Sequence, residues 1–139
     1  MTRLIVLLNL LSLISACQRP SRTYSPVGQA ALVSHNKNSY DATLYVESRL
    51  AAHGFKSPGK YLQGKNDVYL DRDYNGPSGL VADLNAHHGC ITFVISVTDG
   101  LEVDPSLGIS IGRESFQRIL LELGQDKSWE IRRDQICEP

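Results

Sequence analysis

From Cys90 to Thr98 the side chains alternate between two characters. Ile91, Phe93, Ile95 and Val97 fall on one side. Thr92, Ser96 and Thr98 fall on the other, with Val94 among them. A period of two puts successive residues on opposite faces of a strand, so this run predicts a strand with one face in a core. Two helical patterns accompany it. Ala42, Val46 and Leu50 recur every fourth residue, with Tyr45 beside them, and Ser39 or Asp41 can cap the start. Gly54 then stands where a left-handed residue ends a helix, and Phe55 is placed to touch Leu50. Phe116, Ile119, Leu120 and Leu123 follow i, i+3, i+4, i+7, with Gly124 as the stop. Trp129 and Ile131 alternate with Glu130 and Arg132 in a final strand. The expected architecture is α+β, a small mixed or antiparallel sheet with two amphipathic helices on one face.

Other segments are less determined. Val68 and Leu70 alternate with Asp67, Tyr69 and Asp71 as a half-buried strand, turned by Asn75-Gly76-Pro77. Residues 80–88 fit two periods. Leu80, Val81, Leu84 and His88 suit a helix capped by Ser78 and stopped by Gly89, while Leu80, Ala82 and Leu84 suit a strand. Asp99-Gly100 signals a hairpin, with Leu101 and Val103 opening the return strand and Pro105 ending it.

The N-terminus carries Arg3, an apolar run from Leu4 to Ile14, and then Ser15-Ala16-Cys17. A cationic start, a short apolar core and small residues before a cut describe a secretory signal peptide. The run is too short for a permanent transmembrane helix. Ile14-Ser15-Ala16-Cys17 resembles the lipobox of bacterial lipoproteins. The resemblance implies cleavage before Cys17, a lipid on its thiol, and anchoring in a membrane on the periplasmic side. Gln18 in place of Asp implies sorting to the outer membrane. Ordinary secretory cleavage after Ala16 is the alternative, which the bulk of Ile14 disfavours. On this reading residues 1–16 are the signal peptide. Residues 17–38, with Pro20, Pro26 and Gly28, form a lipidated tether. Residues 39–139 form the periplasmic domain.

Three cysteines then divide. Cys17 goes to lipid, and Cys90 and Cys137 remain as an even pair in an oxidising compartment, where a disulfide is expected. A reactive thiol is the alternative. Arg3 is the only charge before Cys17, so the processed chain holds 13 basic and 15 acidic residues. That balance offers no basic face for nucleic acid.

Three patterns carry possible chemistry. Asp71-Arg-Asp-Tyr-Asn-Gly76 matches the opening of a calcium loop, with Asp71, Asp73 and Asn75 at alternate positions. Position twelve would be Ala82, with Asp83 one residue late, so an irregular Ca²⁺ loop stands against a plain polar turn. Gly108-Ile-Ser-Ile-Gly112 matches G-x-S-x-G, which would make Ser110 a nucleophile. All four histidines precede it, unlike the order in α/β-hydrolases. His87-His88 beside Cys90 could contribute to a metal site, but zinc needs three or four ligands. The expected function is a non-enzymatic, membrane-anchored protein-binding module. It would act as an inhibitor or immunity protein, or as an accessory of envelope assembly. A small hydrolase using Ser110 or a His87/His88 metal site is the rival.

Overall fold

The computed structural model describes residues 24–57, 70–98 and 105–138. The elements run β1 (Tyr24–Ser34), α1 (Ser39–Ala52), β2 (Leu70–Asn75), a 3₁₀ turn (Pro77–Gly79), β3 (Leu80–His87), β4 (Cys90–Thr98), α2 (Pro105–Gly124) and β5 (Trp129–Arg133). The five strands form one antiparallel sheet in the order β2-β3-β4-β1-β5. Both helices pack on one face, so the expected α+β class is the observed one. The strand predicted from alternation is β4, the centre of the sheet. Ile91, Phe93, Ile95 and Val97 point into the core.

β3 and β4 are joined by His88-Gly89, both in the left-handed region with φ of 48° and 77°. This is the two-residue turn whose twist suits a tight hairpin. The ambiguous segment 80–88 is therefore a strand. Leu80, Ala82, Leu84 and Ala86 are buried on the helix face. The hairpin expected at Asp99-Gly100 lies outside the described residues, and both flanks of β4 are taken by β3 and β1.

The tether expected over residues 17–38 is corrected from Tyr24 onward. Tyr24–Ser34 is β1, paired with β4 along its length and with β5 from Ala30 to Ser34. Pro26 and Gly28 read as breakers, yet the register shifts between them. Over that half β1 has, among the described residues, β4 as its one neighbour, so an extra residue and a missing N–H are tolerated. Gly28 also leaves room for the Phe116 ring, which a Cβ there would meet at 2.5 Å. Past it, Ala30, Ala31 and Leu32 are buried.

α1 forms much as its periodicity predicts. Its cap is Asn38, whose side chain accepts from the Asp41 N–H at 2.8 Å, rather than Ser39 or Asp41. Ser39 is buried instead and accepts from the Gly89 N–H at 2.8 Å, tying the helix start to the β3–β4 turn. At the other end Phe55 N–H reaches the Leu50 carbonyl and Gly54 N–H reaches that of Ala51. That is a Schellman closure with Gly54 at φ 84°. α2 starts at Pro105, earlier than the apolar stripe alone implies, with proline suited to the first turn.

Candidate binding surface

The two faces of the sheet are unequal. The helix face holds a continuous core, from Phe55 and Tyr74 through Leu84, Phe93 and Leu32 to Trp129. Tyr74, on edge strand β2, is fully buried and donates its hydroxyl to Glu47 of α1 at 2.9 Å. His53 at the end of α1 meets Glu122 of α2 at 2.9 Å, joining the two helices.

The opposite face is carried by the alternate residues, and the strand register orders them in rows. Val81 stands opposite Ser96, Asp83 opposite Val94, Asn85 opposite Thr92, and His87 opposite Cys90. On β1 the continuing positions are Gln29, Ala31 and Val33, and on β5 they are Arg132 and Glu130. Among the described residues no helix covers this side. Instead the chain beyond β5 crosses it. Asp134, with φ 58°, turns and donates its N–H to the Gln29 carbonyl at 2.9 Å. Cys137 donates its N–H to Thr92 Oγ1 at 2.9 Å and forms a disulfide with Cys90. The expected pairing of Cys90 with Cys137 is therefore present, and it bolts the C-terminal segment to the central strand. Ala31 is only 1% exposed, although it faces the side without helices. Among the described residues no element covers the β2–β4 part of this bare side, where Val81, Val94 and Ser96 are half-buried and Asp83 and Asn85 have interaction partners of their own. Ile136, 58% exposed, stands on the segment itself.

The calcium pattern takes a different local shape from the expected loop. Asp71, Asp73 and Asn75 lie on extended strand β2. Asp71 pairs with Asn85, and Asp73 pairs directly with Asp83. The structure thus brings Asp73 and Asp83 face to face but does not wrap residues 71–76 around a point. Among the described residues no group of three or more His, Cys, Asp or Glu could hold a metal ion. Like charges placed opposite across a ladder repel, and Asp83 has an interaction partner of its own.

Ser110 is an exposed residue inside α2. Its flanking glycines are packing positions. A Cβ on Gly112 would sit 2.7 Å from Val27 Cγ2 and 2.9 Å from Leu80 Cδ2. The G-x-S-x-G spacing is the i, i+4 spacing of one helix face lying close on the sheet. Gly108 approaches Val97 at one end of β4, whereas His87 pairs with Cys90 at the other. A strand of that length separates them by roughly 25 Å. His87 and His88 stack edge to face at 4.0 Å. Of the remaining histidines, His53 faces Glu122 and His35 lies 3.7 Å from Glu130. Cys17 lies outside the described residues.

The electrostatics of the far edge are local. Glu130 accepts from Arg132 Nε at 2.7 Å, which holds its carboxyl below the ordinary value and raises the guanidinium. Asp126, in the turn before β5, is also lowered, chiefly by the backbone N–H of Ser128 that donates to it at 2.9 Å. Sequence reasoning missed the bare face. The apolar half of β4 was legible, but which neighbours extend it depends on pairings far apart in sequence. Compared with known proteins, the chain matches no family model and no curated protein.

Proposed function

We propose that this chain is a lipid-anchored, periplasmic protein-binding module of the outer membrane. In this reading Cys17 carries the lipid, and the bare β2–β4 face receives another protein. That protein would be an enzyme to be neutralised or a component of an envelope assembly. The observation that carries the reading is the unequal sheet. Among the described residues one face is closed by two helices, while the other carries only the crossing C-terminal segment and leaves Val81, Val94 and Ser96 half-buried. Flat patches with apolar centres and polar surroundings are what protein interfaces use. The lipobox supports the anchor. With β1 starting at Tyr24, the stretch from Cys17 spans at most about 25 Å, so the domain would stay close to its membrane. Such confinement raises the effective concentration of a partner in the same envelope.

The test is site-specific photocrosslinking from the full chain in Gram-negative cells. A crosslinker replacing Val94 should give a discrete adduct with one envelope protein. The same group replacing Ser48, exposed on α1, should give none. Equal labelling from both sites, or none from Val94 across envelope stresses, would sink the binding face. Intact mass of the detergent-extracted chain reports the anchor separately, as loss of residues 1–16 with added acyl mass.

A further inference from the structure

β5 is an outer strand of the sheet, and its free edge is built to pair. Its bonds to β1 follow the register in which Asp134 N–H meets Gln29 and His35 N–H meets Ser128. In an antiparallel ladder every second residue bonds inward. Glu130 and Arg132 therefore bond to β1, and the N–H and C=O of Ile131 and Arg133 point outward. Among the described residues no strand covers that edge. Beside it, between β5 and the end of α2, runs an open groove of about 480 Å³. Leu120, Leu121, Gly124 and Ile131 line it, with Leu121 63% exposed. The tail leaves over the opposite face through Asp134 and does not close the groove.

We infer that a second copy of this chain occupies the edge, pairing β5 antiparallel with β5 about a two-fold axis through Ile131. The sequence Trp129-Glu-Ile-Arg-Arg133 is self-complementary in that register. Glu130 of each copy stands opposite Arg132 of the other, at a non-hydrogen-bonded pair where side chains approach closest. Trp129 stands opposite Arg133, whose guanidinium now binds uncharged Gln117 at 2.6 Å. Ile131 meets Ile131 beside both Leu121 side chains. Neighbouring registers of the same phase fail on charge. One sets Glu130 against Glu130, and the other sets Glu130 against Asp134. The strand thus specifies one register and closes the pair as a dimer. The opposite edge, β2, is partly occupied by the bridge from Lys56 to Asn75. This inference does not depend on the lipid anchor or on the partner face.

Sedimentation equilibrium of the full chain, extracted in density-matched detergent, tests it together with three variants. Wild type should show a monomer–dimer equilibrium. Glu130→Arg and Arg132→Glu each place like charges opposite at both symmetric pairs, and should weaken the dimer at least about tenfold. The double variant Glu130→Arg/Arg132→Glu restores both pairs and should return the dimer to within about threefold of wild type. Both residues lie at the surface, so far-UV circular dichroism should match for all four proteins. A monomeric wild type, an unweakened single variant or an unrescued double variant would each overturn the proposal. So would open-ended growth with concentration, which would mean head-to-tail pairing of β5 with β2.

Discussion

The two faces of the sheet are held by opposite strategies. On the helix face stability is spread over some twenty buried side chains and a few polar ties, such as Tyr74 to Glu47 and His53 to Glu122. On the other face, among the described residues, one disulfide and two backbone N–H groups, donating to the Gln29 carbonyl and the Thr92 hydroxyl, hold the crossing segment. A distributed interface loses a fraction when one member goes. A single bolt loses nearly everything at once. The face with least packing is therefore the one where a single change should cost most.

Replacing both cysteines, Cys90→Ala with Cys137→Ala, makes that contrast sharpest. The bond closes 47 residues of sequence, which the chain-entropy model values at about 4 kcal/mol. Equilibrium urea unfolding should show that loss in the midpoint. Hydrogen exchange should show Asp134 and Cys137 losing protection while the core of β4 keeps it. If the loss were spread over α1 and α2 instead, the bolt would belong to the whole domain and the contrast between faces would fail.

Gly28→Val attacks the covered face at its least forgiving point. A Cβ there meets the Phe116 ring at 2.5 Å, and that ring packs against Phe93 at a centroid distance of 5.2 Å. Overpacking of this kind costs about 3 kcal/mol, a little below the disulfide. Val94→Thr on the bare face is the matched control and should cost about 1 kcal/mol or less. Trimming the ring with Phe116→Leu should restore part of the loss in a Gly28→Ala background, because the two sites share one volume. Thermal unfolding of the four variants measures both statements. A Val94→Thr cost equal to that of Gly28→Val would mean that the bare face is as tightly built as the covered one.

The same division explains what was legible in the sequence. α1 declares itself locally. Ala42, Val46, Leu50, Gly54 and Phe55 all sit within one element, and their spacing needs no distant partner. The cysteine pair and the alternation of β4 were legible for similar reasons of short-range pattern or simple counting. β1 was not, because Pro26 and Gly28 are breakers by propensity. Only the register shift against β4, and the absence of β5 along that half, make them acceptable. Residues 80–88 held both periods until pairing with β2 and β4 chose one. The glycines of α2 cost helix propensity, about 1 kcal/mol each. Gly112 is explained by Val27 and Leu80, which both lie far before it in the sequence. In each case the deciding contact lay in another element, and a pattern within the segment had no access to it.

The smallest expected effect lies at the solvent rim, in the turn that launches β5. The Ser128 N–H donates to Asp126 and holds its carboxyl below the ordinary value of 3.8. A carboxyl depressed by folding adds stability above its unfolded value, and that stability is lost as pH falls through the folded one. The contribution is thus complete at neutral pH and disappears below 3.8. Asp126→Asn keeps an oxygen for the Ser128 N–H but cannot titrate. Urea midpoints for the variant and wild type should nearly coincide at neutral pH. Below 3.8 the wild type should fall more steeply than the variant. Parallel acid limbs would show that the turn draws nothing from the charge. Asp126 also donates its own N–H to the Leu123 carbonyl at the end of α2, and the backbone of the turn bonds to Trp129 and His35. The substitution leaves these three backbone bonds in place, so its effect should stay at the carboxyl.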